Sequence, residues 1–158
     1  MAELPTSARR VADALAAAGI TTTIVVLEHA VPTSAAAATA VGCDVGQIAK
    51  SLVFTVNSSP FLVIASGANR VDELKLEKLA GGKVRRADPE TVKQATGYAI
   101  GGVPPLGHPA PLPVYVDADL LQYGLIYAAA GVPECVFPLT PAELVQGTGG
   151  RVADVKAE

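Results

Sequence analysis

Two apolar, β-branched runs, residues 50–57 (KSLVFTVN) and 61–66 (FLVIAS), are separated only by the turn formers Asn57-Ser58-Ser59-Pro60. That pattern predicts an antiparallel hairpin in the middle of the chain. Other apolar runs are equally short and are joined by tight connections. A doubly wound parallel sheet needs long crossovers between its strands, so the pattern predicts an α/β domain built on one mixed, largely antiparallel, barrel-like sheet with helices outside. Alternation along the first run places Lys50 on one face with Leu52, Phe54 and Val56. A lysine at the mouth of an apolar face is either a snorkelling surface residue or a partly desolvated, functional ammonium.

The remaining elements carry their own signals. Helical spacing of Ala8, Val11, Ala12, Leu15 and Ala18 predicts a helix over residues 5–18, stopped by Gly19. Residues 22–27 read as a strand. Thr33 or Ser34 caps an alanine-rich helix that ends at Gly42. Asp44 and Gln47 have capping-box spacing. Asp72 opens a helix over 72–80, and Lys83–Arg86 is a short strand. Asp88-Pro89 starts a helix ending near Gly97. Strands are predicted at 114–116, 124–129, 134–138 and 151–155. Thr140-Pro141-Ala142-Glu143 is a capping box before the last helix, which runs to about Gln146. No repeat or linker divides the chain, so residues 1–158 are expected to form one domain.

Composition excludes several classes. Half of the 158 residues are apolar and 17% are charged. That balance suits a compact, soluble domain with a real core. No apolar run approaches the ~18 residues of a membrane span, and no signal peptide is evident. Cys43 and Cys135 lie far apart, without the spacing of a zinc site or a disulfide framework. This usage suits a reducing cytoplasm. The two histidines, His29 and His108, lack metal-ligand spacing. A net charge of −3 rules out a broad nucleic-acid coat, so a nucleic-acid partner would need a local patch. Seven of the twelve basic residues lie between Arg70 and Lys93, interleaved with five acids. They form either a solvated helix face or a modest phosphate-binding patch.

The stretch Gly97–His108 (GYAIGGVPPLGH) holds four glycines and two prolines. It is either a tight turn packed on the core or a stiff loop presenting the N–H groups of Gly101, Gly102 and Val103 to an oxyanion or phosphate. A proline-rich coil follows the Gly pair, so this is no dinucleotide fingerprint. Nor does the chain carry a nucleophile elbow, a Walker loop or a zincin motif.

Taken in order, Lys50 opening an apolar strand, Asp88-Pro89, Thr96-Gly97-Tyr98, the 101–107 loop, a strand ending at Asp117, Ile126-Tyr127 with Ala130-Gly131 and a final Leu-Thr-Pro-Ala-Glu-Leu helix form a set. Over roughly residues 8–156 that set resembles the YbaK/prolyl-tRNA-synthetase-associated domain family. The resemblance implies a mixed α/β barrel-like fold and a metal- and cofactor-free hydrolase. Such an enzyme would cleave, in trans, the ester of tRNA misacylated with Ala, Cys, Ser or Thr. Its expected partner is the tRNA acceptor end, with an aminoacyl-tRNA synthetase as a further one.

In that reading Lys50 holds the substrate carbonyl or terminal phosphate, and Gly101, Gly102 and Val103 donate to the oxyanion. Ser34, Ser51, Pro104, Gly107, His108, Ala129 and Gly131 surround the substrate. Ala129 stands where cysteinyl-type members carry a serine, which argues against serine-assisted handling of cysteine. His108 is the only side chain near the loop able to act as a base; otherwise it is a loop histidine bonded to backbone. A non-catalytic module holding tRNA ends or a nucleotide, and a hydrolase of another small ester or amide, are the alternatives.

Overall fold

The computed structural model describes residues 3–158. Five α-helices and eight strands are present among them: α1 (Thr6–Ala17), β1 (Val25–Val26), α2 (Ser34–Val41), β2 (Ile48–Val56), β3 (Ser59–Ser66), α3 (Glu73–Ala80), β4 (Val84–Arg86), α4 (Pro89–Thr96), β5 (Val114–Asp117), β6 (Ile126–Ala129), β7 (Cys135–Leu139), α5 (Pro141–Thr148) and β8 (Arg151–Ala153). Capping does what the sequence says it should. The Thr33 hydroxyl accepts from Ala36 N–H at the start of α2, and Asp88 accepts from Thr91 N–H at the start of α4. Thr140 and Glu143 close a reciprocal box on α5.

The hairpin forms with the register Lys50↔Ala65 to Val56↔Ser59. Its turn is tighter than expected. Within it only Asn57 and Ser58 occupy the left-handed region, with φ of 50° and 68°. A two-residue hairpin loop of matching twist requires that conformation. Pro60 therefore falls inside β3, opposite Thr55. There β3 has not yet met β5, whose pairing starts at Leu62, so the missing N–H costs no ladder bond. The strand predicted over 22–27 shrinks to Val25–Val26, paired with Val136 and Cys135 of β7. Further along β7, Pro138 lacks the N–H a longer ladder needs. Its carbonyl accepts the Thr22 hydroxyl at 2.6 Å instead.

The sheet order is β1-β7-β6-β2-β3-β5-β8, with β4 also on β2. Four pairings are antiparallel and three parallel. The two end strands do not pair with each other, so the curved sheet stays open. One face carries the larger core, in which Ala8, Val11 and Leu15 of α1 pack with Leu62, Ile64, Tyr98, Phe137 and Leu144. The other holds Phe54, Phe61, Val63 and Leu76 under α3. As alternation requires, Leu52, Phe54 and Val56 share this second face. Among the described residues no helix is long and apolar enough to cross a membrane.

What positions the site is a fork at β2. On one side β3 follows β2 from Ala49 to Val56. On the other, β6 pairs in parallel only with Ile48 and Ala49, and β4 pairs antiparallel only with Phe54–Val56. Between them, residues 50–52 face no strand on that edge, and the chain leaves a notch in the sheet.

Candidate active site

A cleft of about 360 Å³ fills this notch. Its floor is β2 from Ile48 to Val53. Its walls come from α2 and the turn before it (Val31–Ser34, Ala37), from β4 and the residue after it (Arg86, Ala87), from the Gly/Pro loop (Ile100, Gly101, Val103), and from β6 (Tyr127–Ala129). Among the described residues no acidic, histidine or cysteine side chain lines it, and Lys50 and Arg86 are its two charged residues.

Lys50 is half-buried, and its ammonium donates to the Asn69 carbonyl at 2.7 Å. Burial pushes it below the ordinary lysine value; the nearby Arg86 charge adds to that, and the Asp117 carboxylate opposes it. Asn69 is itself held, its side-chain amide donating to Asp117 and to Asp119, each at 2.9 Å. Asp117, 1% exposed, also accepts from the N–H groups of Ser66 and Asp119. The result is a rigid path from a buried carboxylate to the lysine.

One residue along, Ser51 lines the cleft, and its hydroxyl is buried without a hydrogen-bond partner. A buried hydroxyl of this kind is costly unless something bonds to it. The open partner position makes it a candidate contact for a polar group on a bound ligand.

The Gly/Pro loop divides its labour differently from the expectation. Gly102 N–H donates to the Ala99 carbonyl, closing a turn whose third residue, Gly101, has φ of 96°. Such a turn needs glycine there. Gly102 is buried, and a Cβ on it would lie 2.7–2.8 Å from the backbone of Gly131 and Val132. Its N–H is therefore spent and its role is close packing. The Gly101 and Val103 N–H groups make no hydrogen bond among the described residues, and both residues line the cleft.

Of the residues singled out from sequence, Ser34, Lys50, Ser51, Gly101, Val103 and Ala129 come together in the cleft. Gly102, Pro104, Gly107, His108 and Gly131 lie behind it. Gly107 accepts from the Tyr98 hydroxyl, and Gly131 packs where a Cβ would meet the Ser7 carbonyl at 2.8 Å. His108 Nε2 donates to the Pro104 carbonyl at 2.9 Å and burial lowers its pKa, so it braces the loop. Sequence reasoning missed Asn69, Ile100 and the placement of Arg86. Arg86 was visible as part of the basic segment, but nothing local shows that it reaches the same cleft as Lys50. No cluster of three or more metal-ligating side chains occurs among the described residues.

Fold and cleft together define a mixed α/β domain with a cleft at an open sheet edge, lined by a lysine and by two loop residues whose N–H groups are unpaired. Residues 28–146 match the model of the aminoacyl-tRNA editing domain, and the chain belongs to that family, whose chemistry is deacylation of misacylated tRNA. A solved structure described as a candidate trans-editing enzyme for prolyl-tRNA synthetase superposes with a TM-score of 0.95; it is 48% identical and covers 99% of this chain and 100% of its own. YwhH of Bacillus subtilis, whose function is uncharacterised, is 33% identical over 73% of this chain and 74% of its own length. EbsC of Enterococcus faecalis, named as a candidate Cys-tRNA(Pro)/Cys-tRNA(Cys) deacylase, is 30% identical over 75% of this chain and 73% of its own length.

Proposed function

We propose that this chain, residues 1–158 as one editing unit, hydrolyses in trans the ester joining a small amino acid to the terminal ribose of a misacylated tRNA. The observation that carries this reading is the notch at β2: it is lined by Lys50, by two residues whose N–H groups are unspent and by Ser51, whose hydroxyl is unpartnered, and by no acid among the described residues. Attack of water on the ester carbonyl puts negative charge on its oxygen. The N–H groups of Gly101 and Val103 are the donors we assign to that oxyanion, and losing one such donor typically costs about 10²–10³ in rate. Lys50 supplies a fixed positive charge to the carbonyl or to the adjoining phosphate. The cleft lining holds no carboxylate or imidazole, so the proton acceptor for the water is the neighbouring ribose hydroxyl or the substrate's own amine. No metal takes part in this route.

Ala, Ser, Thr and Cys are the amino acids of suitable size. Ser34, Ser51 and Ala129 leave room for them, yet a difference of one methylene is worth only about 1–3 kcal/mol in such a pocket. The methyl of Ala129 in place of a hydroxyl disfavours serine-assisted cysteine release. The working place of such an enzyme is the cytoplasm, alongside the tRNA and a synthetase such as prolyl-tRNA synthetase.

Single-turnover hydrolysis over a panel of tRNAs mischarged with Ala, Cys, Ser and Thr tests this. We expect fast release of at least one amino acid, unaffected by EDTA and lost in Lys50→Ala. No release from any member by the folded protein would overturn it. The lack of a side-chain base favours a second reading, a module that holds acceptor ends without turnover; tight tRNA binding with no release would establish that instead.

A further inference from the structure

The two cations of the cleft are not equivalent. Arg86 sits on β4 directly opposite Phe54 of β2. Directly opposed residues share a face of the sheet. Alternation puts Lys50 on that face too. Phe54 is four positions beyond Lys50, so the two side chains are rooted about 13 Å apart along the strand, at ~3.3 Å per residue. Arg86 thus enters the cleft from the far end of its β2 floor, although its charge still reaches Lys50. Its guanidinium carbon lies 5.8 Å from the Phe54 ring centroid. That contact is a cation–π one and uses none of the guanidinium's N–H donors. The residue is exposed, and its guanidinium makes no ion pair or hydrogen bond among the described residues. The nearest acid in sequence, Asp88, is already engaged in capping α4. Arg85, its neighbour, faces the opposite side of the strand. Beside the cleft mouth, Ile100 is 57% exposed, a flat apolar surface against which a base can lie.

A planar guanidinium fork with unpaired donors matches a phosphate bidentately. We propose that Arg86 is a phosphate-binding residue of this cleft, holding the phosphodiester on the 5′ side of the terminal nucleoside while that nucleoside lies between it and Lys50. The choice of ligand rests on the deacylase reading above. The site explains how a chain of net charge −3 engages a polyanion: one unpaired guanidinium and one ammonium in a cleft without acids, in place of a basic coat.

The test is equilibrium binding of an unacylated RNA microhelix with a single-stranded CCA 3′ end, measured across salt concentrations. Each single-strand phosphate contact contributes about 0.7 to the slope of log K against log salt. Arg86→Gln is expected to weaken binding on the order of tenfold and to reduce the slope by about 0.7. Arg86→Lys should keep the slope, because the charge stays. Lys75→Gln, which removes a cation paired with Asp154 at 2.9 Å, should change neither.

No binding by the wild type, an Arg86→Gln slope equal to wild type, or an equal loss in Lys75→Gln would overturn the assignment. Ester release in the mischarged panel together with Arg86-independent binding would leave the deacylase standing and remove this site. Arg86-dependent binding without ester release would do the reverse.

Discussion

The ammonium of Lys50 and the backbone carbonyl of Asn69 meet at 2.7 Å, although 19 residues separate them along the chain. The same asparagine is clamped by two carboxylates through its side chain. A main-chain acceptor cannot be mutated away, but its position can be loosened. Asn69→Ala keeps the carbonyl and removes the clamp. We expect the single-turnover deacylation rate to fall, by up to about 10²-fold if Lys50 shifts by ~1 Å. Measured well below the melting temperature, the loss should appear in the rate and not in the apparent affinity for uncharged microhelix. An unchanged rate would show that Lys50 is positioned without Asn69.

Ser51 makes an unusual prediction because its hydroxyl is buried and unpartnered in the free protein. Ser51→Ala removes an unsatisfied polar atom and should leave stability unchanged or raise it by about 1 kcal/mol. The same substitution should weaken binding of the aminoacyl substrate. Thermal melts and deacylation kinetics on one preparation check both halves. A destabilised variant would mean that the hydroxyl is already satisfied.

Gly102 is required for space. A Cβ there would lie 2.7–2.8 Å from main-chain atoms of Gly131 and Val132, neither of which can swing away. Gly102→Ala should therefore cost about 1–3 kcal/mol. Urea denaturation gives the number directly. A midpoint equal to wild type would show that the 101–103 turn and the 131–132 bend separate easily.

His108 gives a pH dependence with a definite sign. Burial holds its folded pKa below the ordinary 6.5, against the raising effect of its bond to Pro104. The unfolded chain therefore binds the proton more readily than the folded one. The contribution of neutral His108 is complete above the unfolded pKa and is lost as pH falls from there towards the folded one. Denaturation midpoints taken from pH 7.5 down to 5.5 should fall more steeply for wild type than for His108→Gln. Equal slopes would show that the imidazole is solvated equally in both states.

Much of this molecule is written locally. Thr33, Asp72, Asp88 and the Thr140–Glu143 box each satisfy orphan N–H groups within a few residues, so helix starts can be read from neighbouring letters. The existence of the hairpin from Lys50 to Ser66 is equally local, although its turn closes on Asn57 and Ser58 alone rather than over 57–60. Lys50 stands out for the same reason, as a charge at the head of an apolar strand.

Only the tertiary structure decided what that lysine faces. β2 is flanked at one end by β6, which begins only at Ile126, and at the other by β4. The gap between them is a property of three segments at once. That gap brings Arg86, Ser51, Gly101 and Val103 to Lys50. The same fold puts Gly102 against Gly131, so that a glycine legible as a donor becomes a packing contact. Turns and caps are settled by bonds a few residues long, which sequence spacing encodes. The cleft is settled by which distant edges pair and by how far their pairing runs before the strands diverge, and no local pattern carries that information.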